Sequence, residues 1–293
     1  MSSMSLYYHG SVHICLRGNR LLRSMASVPA HEFLLFADDI KLFIRIDTVE
    51  DCKLLQHDLD AVVLWARGLG LEFNIPKCHT MTYTRSNEHV MFTYTINDIA
   101  LKQPGDCVMD LGITFDRSLT FRTHIEKVTC KALKFLGFVK KISAEFKLSN
   151  SLKTLYCSFV RSILEYGIII WDPCTFDGSN QLERVQRKFL KFAASALRIE
   201  CVPHEYQPVL QSLHLSTLCD RRKQANLMFL SKLLNGEVDS PALLYKLNFR
   251  VPSFYSRFSF PFQILFSRCN YLKNRPIVRM MKMANEDPLF LST

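Results

Sequence analysis

Asp38 and Asp39 stand side by side in FLLFADDIKLF (33–43), between two runs of strand-forming apolar residues. Two carboxylates at a tight bend repel one another, so the pair needs a reason. A surface hairpin with a polar tip is one. The other is a metal site, because Mg²⁺ takes hard oxygen ligands and a stiff β-turn holds carboxylates in place. A second group of residues suits a different chemistry. Lys131, Lys134, Lys140 and Lys141, then Arg184, Arg187, Lys188 and Lys191, recur through a basic middle segment, as cations facing a polyanion would. Between Arg117 and Arg198 there are 15 Lys/Arg and 6 Asp/Glu, a net of +9 out of +10 for the chain. Nucleic acid is the partner this uneven charge suggests, with solvated helix faces as the plainer alternative. A third set, Cys201, His204, His214 and Cys219, has the donor types of a tetrahedral zinc site. Its spacing matches no zinc class closely, and capping or core roles account for these residues equally well.

The 293 residues, 48% of them hydrophobic and 22% charged, suit a globular chain with a sizeable core. The apolar run GIIIW (167–171) is far shorter than the ~20 residues of a membrane span. No signal peptide is expected from MSSMSLYYHGSVHICLRG. The ten cysteines contain no Cys-x-x-Cys pair, which suits reduced thiols in an intracellular protein, in cytoplasm, nucleus or both.

The elements that must position these residues follow from periodicity. Phe33 to Phe36 reads as a strand, 37–39 as a turn, and Ile40 to Ile46 as the returning strand, with Ile40, Leu42, Ile44 and Ile46 on one face. Thr48 with Asp51 three residues on is a capping-box start for a helix over about 49–67. Its apolar stripe is Cys52, Leu55, Leu59, Val62 and Ala66, and Gly68 and Gly70 close it. LEFNIPKCHTMTYT returns to strand, VMFTYTINDIALKQ turns at Asn97-Asp98, and CVMDLGITFD reads as one further strand. Amphipathic helices are predicted over 121–142, 149–170, 179–198 and 215–234, and the tail from 240 reads as irregular. Tyr156, Phe159, Tyr166 and Trp171 are expected in the core rather than on a base-stacking surface. The fold class is α+β.

Seven stretches, in order, resemble reverse transcriptases of jockey-like non-LTR retrotransposons. FLLFADDIKLF looks like the family's catalytic hairpin, and WARGLGLEFNIPKCHTMTYTR (65–85) like its next palm motif. DLGITFDRSLTFRTHIEKV (110–128) is similar to the palm–thumb junction. LKTLYCSFVRSILEYGIIIWDP and LERVQRKFLKFA resemble the thumb, and FLSKLLNGEVDSPALL and RCNYLKNRPIVRM the region after it. The resemblance implies a degenerate segment over 1–32, a partial antiparallel palm sheet with one crossing helix over 33–116, a basic helical thumb over 117–198 and a C-terminal region over 199–293. It also implies two-metal nucleotidyl transfer, with two Mg²⁺ about 4 Å apart, dNTP as substrate, and an RNA template and RNA–DNA duplex as partners. Asp38 would be the direct metal ligand, Asp39 its support, and Lys77 a neighbour of the triphosphate, unless Lys77 is an ordinary surface lysine.

That chemistry needs a further upstream aspartate, and before Asp38 the chain has one acidic residue, Glu32. Six extended residues put Glu32 roughly 20 Å away, too far to share the ion pair. SVP (27–29) resembles the start of the family's Gly-Val-Pro-Gln-Gly-Ser loop, but AHEFLLFADD follows at once, as a deletion or misplaced splice would leave it. The expectation is a polymerase fragment inactive alone. A nucleic-acid-binding module without chemistry and a relic without function are the alternatives.

Overall fold

The computed structural model describes residues 9–17, 33–36, 39–86, 88–143, 148–202, 204–250, 260–267, 269–287 and 290. They form two compact units, one up to Thr123 and one from His124.

In the first unit β2 (Phe33–Phe36) and β3 (Asp39–Arg45) form an antiparallel hairpin in which Phe36 pairs with Asp39. The sequence reading assigns no element before Phe33, yet β1 (His9–Arg17) runs through the middle of the sheet. It pairs antiparallel with β3 on one side, and with β4 (Glu72–Phe73) and β5 (His79–Tyr83) on the other. Val12, Ile14 and Leu16 alternate along it as strand residues do, although Gly10 and two histidines weaken the signal. Helix α1 (Val49–Gly68) begins at the expected capping box, where Thr48 and Asp51 satisfy each other's backbone N–H. Its stripe of Cys52, Leu55, Leu59, Val62 and Ala66 is buried against Ile40, Leu42 and Ile46 of the hairpin's returning arm. Period two on the strand and about 3.6 on the helix thus meet in one core.

Between β4 and β5 the chain makes a 3₁₀ turn (Ile75–Lys77) rather than continuing as strand, because Pro76 has no N–H for a sheet ladder. β6 (Thr95–Ile96) and β7 (Ile99–Ala100) form the expected hairpin, and both Asn97 and Asp98 take positive φ (50° and 62°), as a type I′ turn requires. CVMDLGITFD is not one strand. It is a second hairpin, β8 (Cys107–Asp110) and β9 (Ile113–Asp116), turning at Leu111 and Gly112 with φ of 45° and 81°. Leucine is an unusual occupant of the left-handed region, so the turn carries no ordinary sequence signal. At its end the Asp116 carboxylate accepts from the backbone N–H of Ser118 (3.2 Å), Thr120 (3.0 Å) and Phe121 (2.6 Å) and turns the chain toward α2.

The second unit is helical: α2 (Arg122–Ile142), α3 (Ser149–Tyr156), α4 (Ser162–Glu165), α5 (Ile168–Trp171), α6 (Phe176–Leu197), α7 (Gln207–Ser212), α8 (Leu218–Leu234), α9 (Pro241–Leu244), α10 (Asn270–Lys273) and α11 (Pro276–Glu286). The single helix expected over 149–170 is interrupted twice. A π turn (Cys157–Arg161) joins α3 to α4, and Gly167, in the left-handed region at φ 63°, breaks α4 from α5. The tail is not irregular throughout. Met280, Met281 and Ala284 of α11 pack with Leu230 and Leu233 of α8 and with Phe262 in a separate apolar cluster.

Tyr156 stacks on Phe189 at the centre of the helices, with ring centroids 4.0 Å apart. Trp171 is buried edge-to-face against His124 at 4.8 Å. Both meet the core expectation, but Phe159 and Tyr166 do not, being 40% and 58% exposed. The two helix interruptions reset the phase and turn them outward. Beside this core lies a buried ion network. The Asp172 carboxylate sits 3.2 Å from Arg222 and 3.5 Å from Arg279, and it also accepts from Asn226 Nδ2 at 3.0 Å. Arg279 in turn donates to the Ile169 carbonyl at 2.7 Å, tying α11 to α5 and α8. The side chain of Gln186 donates to the Ser216 carbonyl and accepts from Leu218 N–H, fixing the start of α8.

Candidate functional site

Asp39 opens β3 and is half-buried, paired across the hairpin with Phe36 and on its other side with Cys15 of β1. Asp38, the principal metal ligand implied by the resemblance, lies outside the described residues, as does Glu32. β1, which pairs with β3 beside Asp39, has the sequence HGSVHICLR, without an acidic residue. Among the described residues no three His, Cys, Asp or Glu side chains are arranged to hold a metal ion. No chemical step is assigned through a metal centre. Cys201, His204, His214 and Cys219 are all described and are not gathered in any such group.

Two residues past Asp39, Lys41 makes a part-buried ion pair with Asp110 of β8. This ties the second hairpin to the strand that carries Asp39, a link that spacing along the chain does not reveal. Lys77 is exposed at the end of the 3₁₀ turn. Proline at the turn's second position sets its backbone, while its ammonium faces solvent.

The basic residues form a more definite surface. α2 buries Ile125, Ala132, Leu136 and Val139 and leaves Lys131, Lys134 and Lys141 exposed. α6 buries Leu182, Val185 and Phe189, as its apolar stripe predicts, and exposes Arg184, Arg187, Lys188 and Lys191. Arg187 is steadied by donation to Asn180 Oδ1 at 2.6 Å. Lys140 leaves α2 on a different flank, half-buried, with its ammonium 5.6 Å from the centre of the Phe192 ring on α6. Burial, then the neighbouring charges of Lys188 and Lys191, push its pKa down. Three cations from two helices are thus gathered at one place, and among the described residues none of the three has an ion-pair partner. Self-repulsion of this kind costs stability until an anion is present.

Sequence reasoning found these lysines by residue type but not this convergence, which needs α2 and α6 side by side. It also passed over Lys127, which falls on the exposed face of α2. Its spacing of four residues from Lys131 was the available signal.

Comparison with known proteins finds two relatives. The chain is 28% identical over 165 residues to the RNA-directed DNA polymerase from mobile element jockey of Drosophila funebris. The match covers 55% of this chain and 18% of that protein. It is 25% identical over 161 residues to the probable RNA-directed DNA polymerase from transposon BS of Drosophila melanogaster, covering 53% of this chain and again 18% of the relative. The chain is therefore similar to the reverse transcriptases of jockey-like non-LTR elements, and the match spans less than a fifth of these relatives' length. No family model matches it, and no solved structure matches it significantly. Among the described residues no helix is long and apolar enough to cross a membrane.

Proposed function

We propose that this chain is palm and thumb material of a jockey-like reverse transcriptase, working inside the cell, and that its own capacity is to hold an RNA–DNA duplex by its phosphates. Residues 33–116 are the palm portion, 117–198 the thumb and 199–293 the C-terminal region. RNA template and dNTP are the ligands of the parental reaction, and Mg²⁺ is the ion that reaction uses. Asp38 and Asp39 are the carboxylates proposed to meet it, and Lys77 the cation proposed near the triphosphate. Alone the chain does not polymerise, because β1, the strand beside Asp39, brings no carboxylate.

The observation that carries the binding function is the reach of Lys140 from α2 to the Phe192 ring of α6, 5.6 Å from its centre, on the helix that exposes Lys188 and Lys191. Like charges so placed are tolerable where a phosphate backbone supplies the counter-charge, and such contacts hold a duplex without reading its sequence. Arg184 and Arg187 extend the same α6 surface.

Duplex binding at several salt concentrations tests this. Wild-type affinity is expected to fall steeply with salt, and replacing Lys140, Lys188 and Lys191 with Ala is expected to lower the log–log slope by about 0.9 for each phosphate no longer neutralised. An unchanged slope refutes the assignment. Primer extension on an RNA template with dNTP and Mg²⁺ is expected to give no product. Incorporation that Asp38→Ala/Asp39→Ala abolishes would show that the chain polymerises by itself after all.

A further inference from the structure

At 100° per residue, Lys127, Lys131, Lys134, Phe138 and Lys141 of α2 fall within a sector of about 80°, opposite the buried stripe. All five are exposed, along about 21 Å of helix. Glu126 is the only carboxylate of α2, against six lysines and arginines. In this basic row Phe138 is 49% exposed, and its ring meets that of Phe159 edge-to-face, with centroids 6.3 Å apart and planes at 76°. Phe159 sits in the π turn and is itself 40% exposed.

The pair is not explained by packing, since each ring leaves much of its surface in water beside charged neighbours. The pair stands at a π turn, a feature frequent at functional sites. Lys134 and Lys141 lie one turn before and just under one turn after Phe138, about 6 Å and 4.5 Å along the axis. Aromatic faces interleaved with cations are how proteins bind unpaired nucleotides: the base stacks and the flanking phosphates meet the charges. A duplex cannot use such a step, because its bases already stack on one another.

We propose that Phe138 and Phe159 form a base-stacking step for single-stranded nucleic acid, with Lys131, Lys134 and Lys141 holding the phosphates beside it. This rests on the second unit being a nucleic-acid binder, and adds that the surface takes an unpaired strand at a place distinct from Lys140, Lys188 and Lys191.

Fluorescence anisotropy with a labelled twelve-nucleotide oligo(U), and separately with an RNA–DNA duplex, tests it on the full chain. Phe138→Ala/Phe159→Ala removes exposed rings, and circular dichroism checks that the fold survives. The double variant is expected to lose about tenfold in oligo(U) affinity with an unchanged salt slope, and to bind the duplex as wild type does. Phe138→Trp is expected to retain affinity, and Lys131, Lys134 and Lys141 to Ala to flatten the salt slope for oligo(U). Unaltered oligo(U) binding by the double variant overturns the stacking step. So does duplex binding without oligo(U) binding by wild type, which leaves the proposed duplex function standing. Oligo(U) binding that needs the two rings, without duplex binding, supports the step and removes the duplex function instead. A dimer that the double substitution converts to monomer, with oligo(U) affinity intact, overturns the step in favour of a contact between copies.

Discussion

Acidification should loosen the helical unit through one imidazole. His124 is buried against the edge of Trp171, and burial, helped by the charge of Lys127, pushes its pKa from about 6.5 down to about 4. The folded state holds the ring neutral, so between those two values the unfolded chain binds the extra proton. Stability is therefore intact above about pH 6.5 and falls as pH falls toward 4. At about 1.4 kcal/mol per unit, the loss is about 2 kcal/mol by pH 5 and approaches about 3 kcal/mol below pH 4. Urea unfolding at pH 7.5 and pH 5, followed by the fluorescence of Trp171 in a Trp65→Phe background, measures it. Other groups titrate in the same window, so the decisive quantity is the difference between wild type and His124→Phe, which keeps a ring on Trp171 and cannot be protonated. The pH-dependent loss should be smaller in the variant by the amount worked out above. Parallel curves for the two proteins would refute the reasoning.

Two further outcomes follow from local geometry. Leu111 occupies the left-handed region in the β8–β9 turn, so Leu111→Asn, which makes the turn Asn-Gly, should stabilise the first unit by about 1 kcal/mol, read as a higher urea midpoint. Arg222→Ala leaves the buried Asp172 carboxylate with Arg279 as its remaining cation and should cost about 3–5 kcal/mol in the second unit. Replacing all three ionic members, as Arg222→Met/Arg279→Met/Asp172→Leu, should cost distinctly less because no buried charge is then left unpaired, and an equal cost would show that the ion network is not what matters.

How much of this was legible in the chain depended on whether a local rule governed each element. The start and buried stripe of α1, the β2–β3 hairpin and the Asn97–Asp98 turn each rest on a few adjacent residues, and all came through. The β8–β9 turn was hidden because Leu111 is the wrong residue for the backbone it adopts. β1 was missed because its partners are not its neighbours in sequence: Cys15 pairs with Asp39, with the β2 strand lying between them in the chain. α11 was lost in a tail judged by its proline and aromatic content, although Ile277, Met280, Met281 and Ala284 have helical spacing. At the candidate site the cations were plain in the sequence, while their grouping was not. Lys140 reaches the helix of Lys188 and Lys191 only because α2 and α6, far apart in the chain, come together at Phe192. The aspartate pair announced itself, but whether it is completed depends on the strand beside it, which no local pattern names.

The π turn shows how a structural feature can be written in the number of residues rather than in their kinds. Leu152, Tyr156, Val160 and Leu164 are all buried at intervals of four, a spacing that drifts about 40° per step on a regular helix. The wider turn at 157–161 absorbs most of that drift. Exchanging any one side chain in the turn leaves the count, and so the phase, as it was. Losing one residue between Leu152 and Leu164 would rotate everything beyond it by about 100° relative to Leu152 and carry Leu164 out of the core. This helix is therefore tolerant of substitution and brittle to deletion, and a frame-preserving loss of a single codon here would do more damage than most missense changes in the same stretch.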